Sequence, residues 1–112
     1  MGSSLGGLFS LLATWDRPEV FGLCGAISPT LALRPELFDR VASEPQRPVR
    51  IYLDSGSPLD NFQETRRMRD LLLLRGYAQG ADLLALTFPG ALHNESAWGS
   101  RLCVPFQFLF GV

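Results

Sequence analysis

Apolar positions along the chain fall into short blocks, and the spacing changes from block to block. Leu5, Leu8, Phe9, Leu11 and Leu12 recur at helical spacing and predict a helix from Leu5 to Ala13 that runs out near Trp15 and Pro18. Phe21 to Ile27 reads as a short buried strand containing two glycines, ended by Ser28 and Pro29. Pro35 to Val41 predicts a short helix, with Pro35 at the first helical position, where a missing N–H costs nothing. After a polar loop from Ala42 to Pro48, the run Val49 to Leu53 is the clearest strand, rich in β-branched and aromatic residues. Asp54 to Asn61 reads as a turn and Phe62 to Arg75 as the clearest helix, ended by Gly76. Asp60 or Asn61 could cap that helix, and Glu64 is placed for a capping box with Asn61. Leu83 to Phe88 is a further strand, Ala91 to Asn94 a loop, and Glu95 to Phe110 a helical stretch with a break expected near Pro105.

The order is helix, strand, helix, strand, helix, strand, helix. Such alternation implies an α/β fold with parallel strands and helices on both faces, a three-layer α/β/α arrangement. Three strands make a small sheet with an open edge. Part of the apolar surface is therefore expected to meet a partner, and self-association through the incomplete sheet is one way to cover it.

Composition narrows the function classes. At 112 residues, 46% hydrophobic and 19% charged, the chain is one globular unit rather than a disordered one. A net charge of −1 offers no electrostatic footprint for nucleic acid or an anionic membrane. No run of 18 apolar residues suggests a transmembrane helix, and no basic segment followed by an apolar one marks a signal peptide, so a cytoplasmic location is expected. Cys24 and Cys103 lack C-x-x-C neighbours, which argues against zinc; both are expected to be buried free thiols.

The chemistry starts at the first residues. Gly2, Ser4 and Gly6 spell G-x-S-x-G, a nucleophile elbow: a serine on a sharp, strained turn between a strand and a helix. Small neighbours let the strand and helix approach closely. The helix N-terminus then points at Ser4, so the Leu5 N–H is the expected oxyanion donor. An elbow needs a strand before it, which places that strand ahead of Met1 and makes the chain a partial domain starting at the elbow.

Open parallel sheets carry function at the carboxyl ends of their strands. Ser4 follows the strand expected ahead of Met1, Asp60 follows the Val49 strand, and His93 follows the Leu83 strand. A serine hydroxyl is a weak nucleophile until a base takes its proton. His93 is the single histidine and the candidate base; Asp60 would hold the other ring nitrogen and fix the tautomer. A loop histidine capping the Glu95 helix and an N-cap aspartate are the plain alternatives for the same two residues. Asp54, at the end of the same strand as Asp60, is the rival acid, unless it fastens the turn through its own backbone.

Four stretches carry a resemblance: G-S-S-L-G-G-L-F-S, R-I-Y-L-D-S-G-S-P-L-D-N, R-R-M-R-D-L-L-L-L-R-G-Y and G-A-L-H-N-E-S-A-W. The chain resembles the C-terminal half of the esterase family of the α/β-hydrolase superfamily that includes enterochelin esterases, S-formylglutathione hydrolases, feruloyl and acetyl xylan esterases and mycolyltransferases. The resemblance implies Ser4 as nucleophile, His93 as base and no cofactor or metal. It leaves the acid open between Asp60 and Asp54. It implies serine-dependent hydrolysis of small carboxylic esters through an acyl-enzyme. A second oxyanion donor would come from the half of the domain not present, and one lost donor costs roughly 10²–10³ in rate. Two other readings stand beside it: a non-catalytic fragment that associates with itself or another chain, and acyl transfer to an alcohol instead of water. If the chain is such a half, any signal peptide would lie in the missing part.

Overall fold

A computed structural model describes residues 1–111 and contains one sheet of four parallel strands in the order β1-β2-β3-β4. They are β1 (Gly2–Ser3), β2 (Leu23–Ile27), β3 (Arg50–Ser57) and β4 (Leu83–Pro89). The α/β architecture with parallel strands agrees with the sequence pattern, but the strand count does not. The strand expected ahead of Met1 is present as β1, where Gly2 pairs with Ala26 and Ser3 with Ile27. Two residues next to a glycine-rich run carry no strand signature of their own. Pairing with β2 makes them one.

The crossovers are helical: α1 (Leu5–Asp16), α2 (Glu36–Ser43) and α3 (Phe62–Leu74), followed after β4 by α4 (Glu95–Ser100) and α5 (Cys103–Phe110). Alternation along β3 splits the core in two. Ile51 and Leu53 face one way, packing in a cluster with Leu8, Leu11 and Trp15 of α1, Leu37 and Phe38 of α2, and Met68 and Leu72 of α3. Tyr52 faces the other way, with Ile27 of β2 and Leu109 of α5, and Trp98 and Leu102 pack against them. Helices therefore cover both faces, α1 to α3 on one and α4 to α5 on the other.

Local differences have local causes. The strand read as Val49 to Leu53 continues to Ser57 because β4 pairs along it as far as Ser57 opposite Pro89. The helical stretch from Glu95 breaks at Arg101 and Leu102, ahead of Pro105. Pro105 instead lies in the first turn of α5, where its missing N–H leaves no bond unmade. Asn61 sits at the N-cap of α3 in the left-handed region, with φ 52°, and makes no side-chain cap, so the expected capping box is absent. Cys24 is buried, and burial pushes its thiol up to about 12; Cys103, the first residue of α5, is exposed, contrary to expectation. Among the described residues no helix is long and apolar enough to cross a membrane.

Candidate active site

Ser4 stands on the turn between β1 and α1 with φ 57° and ψ −119°, a conformation that L-residues adopt only when their surroundings enforce it. Those surroundings are visible. The Ser4 N–H donates to Ile27 C=O at 2.9 Å, and Ser4 C=O accepts from the Leu8 and Thr30 amides at 3.1 Å each. A Cβ at Gly2 would lie 2.6 Å from the Gly6 carbonyl carbon, so the strand and helix close on each other only with glycine there. The first amide of α1 to bond back is that of Leu8, onto Ser4. The Leu5 N–H therefore belongs to the free first turn of the helix, beside the serine.

Loops after β3 and β4 bring two more side chains to this point. The Ser4 Oγ lies 2.8 Å from His93 Nε2, and His93 Nδ1 lies 2.6 Å from Asp60 Oδ1. All of Ser4, Asp60 and His93 thus meet in one chain of contacts across 89 residues of sequence. Asp60 is buried. Burial pushes its carboxyl up, but hydrogen bonds from the Ser28 hydroxyl, the Gly56 amide and the His93 ring outweigh that and hold it below the usual carboxylate range. An ionised Asp60 accepts only, so His93 Nδ1 donates to it; in a neutral ring Nε2 then accepts, and the Ser4 hydroxyl donates to Nε2. The Trp98 ring meets the imidazole edge-on, with centroids 4.9 Å apart and planes at 89°, which limits rotation of the ring. Asn94, not His93, caps α4, through an Oδ1 that accepts from the Ala97 amide at 2.9 Å.

Asp54, the rival acid, is committed elsewhere. It accepts from Arg101 Nε at 2.9 Å, Arg101 Nη2 at 3.1 Å, the Tyr52 hydroxyl at 2.5 Å and the Ser28 amide at 3.2 Å. Burial, then the Asp54 carboxylate, push the Tyr52 phenol up, so it stays a donor.

Sequence reasoning passed over three members of the cluster. Thr30 Oγ1 lies 3.1 Å from Ser4 Oγ. With the Ser4 proton directed at His93, the Thr30 hydroxyl is the donor to Ser4 Oγ. Ser28 has φ 45° and donates from its hydroxyl to Asp60 Oδ2 at 2.6 Å. Arg101 is buried and reaches both Asp54 and Ser28. Ser28 and Thr30 follow β2 directly, so the strand-end rule could have found them. Nothing local marks Arg101. Ser4, Ser28 and Asn61 are the three non-glycine residues with positive φ among the described residues, and all belong to this cluster: Asn61 Nδ2 donates to Ser28 C=O at 3.0 Å.

Comparisons with known proteins agree with this architecture. No curated protein matches the chain. Crystal structures of the enterobactin esterase FES from Shigella flexneri share its fold. One, in the presence of enterobactin, has a TM-score of 0.84 at 20% identity, covering 98% of this chain and 29% of that one. Another, in the presence of 2,3-dihydroxy-N-benzoyl-serine, has a TM-score of 0.81 at 19% identity, covering 99% and 30%. The chain thus spans about 30% of the length of the solved structures it matches. The family described as "Putative esterase" matches residues 1–109, nearly end to end, and the chain belongs to this esterase family.

Proposed function

We propose that the cluster at the sheet's carboxyl edge hydrolyses carboxylic esters through a serine acyl-enzyme. The observation that carries this reading is the pair of contacts on His93, 2.8 Å to Ser4 Oγ and 2.6 Å to Asp60 Oδ1. Ser4 Oγ attacks the acyl carbonyl while His93 Nε2 takes its proton. Asp60 stabilises the imidazolium that results and keeps the ring oriented. The Leu5 N–H, reinforced by the α1 dipole, faces the oxyanion. The imidazolium then protonates the leaving alkoxide, and water, activated by His93, releases the acid.

Small esters are the proposed substrates. The fold likeness to an enterobactin esterase makes enterobactin a natural second substrate to assay. The test is p-nitrophenyl acetate hydrolysis by the purified chain beside its Ser4→Ala variant. Loss of at least about 10³-fold in rate with Ser4→Ala supports the reading; equal rates from the two proteins overturn it. Adding an alcohol and analysing the products separates hydrolysis from acyl transfer.

A second reading, association through the sheet edge, is favoured by one observation. Met1, Phe9, Phe21 and Leu23 are 49, 66, 48 and 43% exposed, and Met1, Phe9, Phe21 and Leu23 line one groove beside β1. Size-exclusion chromatography tests it, with a concentration-independent monomer as the result that sinks it.

A further inference from the structure

We infer that Arg101, acting through Ser28, is a positioning residue that orients the Asp60 carboxylate and thereby holds His93 in the tautomer with its proton on Nδ1. The inference rests on the triad reading above for its catalytic meaning, but not for its geometry.

Arg101 lies at the C-terminal end of α4, eight residues after His93, and its guanidinium turns inward. It stands 5.0 Å over the Phe88 ring and is 4% exposed. Two of its N–H groups grip Asp54, and Nη2 also reaches the Ser28 hydroxyl oxygen at 2.9 Å. A guanidinium has donors and no acceptor. Ser28 Oγ must therefore accept from Arg101, and its single proton is free to point only at its other neighbour, Asp60 Oδ2, at 2.6 Å. Arg101 thus sets the polarity of that hydrogen bond.

The consequence passes through the carboxylate. Asp60 Oδ2 is occupied by two donors, the Ser28 hydroxyl and the Gly56 amide at 2.7 Å. With Oδ2 pinned on the side away from the imidazole, Oδ1 faces His93 Nδ1. The cluster holds Arg101 against Asp54 and Asp60; Arg101 Nη2 is 3.1 Å from Asp54 Oδ1 but 3.8 Å from Asp60 Oδ2. Asp54 absorbs the guanidinium charge, and the surplus negative charge resides on Asp60, facing the histidine. Arg101 also ties the segment carrying His93 to the ends of β2 and β3, so one side chain positions both partners of the His93–Asp60 contact.

The test uses the full chain with ¹⁵N-labelled histidine. His93 is the single histidine, so its ring signals need no assignment. Once the ¹⁵N shifts themselves report a neutral ring, the wild-type signals should show a protonated Nδ1 and an unprotonated Nε2. Ser28→Gly removes the hydroxyl and relieves the positive φ. It should move both ¹⁵N shifts toward a mixture of tautomers and lower kcat about tenfold, with KM within about twofold, as expected for one lost hydrogen bond to a charged group. Arg101→Lys keeps the charge beside Asp54 and loses the fork, and should shift the ring signals in the same direction. A merely structural role would leave the ring signals of the folded variants at their wild-type positions. Wild-type ¹⁵N shifts in a folded Ser28→Gly or Arg101→Lys protein overturn the inference. Because the readout is spectroscopic, it decides the point even if Ser4→Ala and wild type hydrolyse ester equally.

Discussion

Arg101 grips Asp54 with two N–H groups, at 2.9 and 3.1 Å, and this pair separates two aspartates that stand six residues apart on one strand and its loop. Asp54 is neutralised by the guanidinium. Asp60 is left to the imidazole. The two acids should therefore fail differently. Arg101→Met leaves Asp54 buried without its cation, and chemical denaturation should show a loss of about 3–5 kcal/mol. Asp60→Asn keeps the shape of the side chain but reverses the donor pattern at His93. Its principal effect should fall on turnover, a drop on the order of 10⁴ in kcat toward p-nitrophenyl acetate.

Thr30 should matter to rate more than to folding. Its hydroxyl meets Ser4 Oγ at 3.1 Å and donates to it when the serine proton is on His93. In the proposed mechanism, a donor there would stabilise the negative charge that develops on Oγ as His93 takes its proton. Thr30→Val is nearly isosteric and removes only that donor. A fall of about 10–100-fold in kcat with little change in melting temperature is expected, the range for a hydrogen bond to a charged group.

Gly56 links the acid loop to the histidine loop by close approach. A Cβ there would lie 2.0 Å from the Ala91 carbonyl oxygen, two residues before His93, and the Gly56 amide donates to Asp60 at 2.7 Å. Backbone cannot step aside as a flexible side chain can. Gly56→Ala should cost at least about 1–3 kcal/mol and should lower turnover as well, because the shift moves His93 relative to Asp60. Equilibrium unfolding together with the ester assay checks both halves of this prediction.

Acid stability should carry the signature of Asp60. Its folded-state carboxyl lies below the ordinary range, net of burial, because Ser28, Gly56 and His93 donate to the ionised form. A lowered pKa stabilises the fold above the unfolded value near 3.9, and the contribution is lost as pH falls through the folded value. The urea midpoint of the wild type should therefore drop more steeply than that of Asp60→Asn between about pH 5 and about pH 2. Parallel curves for the two proteins would contradict the assignment of an ionised, hydrogen-bonded Asp60.

Much of the architecture was legible because it is local. The apolar blocks around Leu8, Ile51, Met68 and Leu83 define α1, β3, α3 and β4 through spacing alone, since a helix and a strand each bury a face at their own period. Alternation of those blocks implied the parallel sheet, and the strand-end rule placed Ser4, Asp60 and His93 at one edge. Gly2–Ser3 was not legible as a strand, because two small residues become one only by pairing with Ala26 and Ile27. The break at Arg101 was not legible either: Pro105 is a strong local signal, whereas the turn before it coincides with an arginine committed to Asp54, 47 residues away.

What the chain's own order of residues determined, then, is the set of elements and the candidate chemistry at their ends, because both follow from neighbours a few positions apart. Which of Asp54 and Asp60 meets the imidazole, the placing of Thr30 and Ser28 beside the serine and the aspartate, and the burial of Arg101 were decided by tertiary structure. Those outcomes depend on strand register, which fixes which side chain of β3 faces α4, and on distances between residues 26 to 89 positions apart that only the folded sheet brings within hydrogen-bond reach.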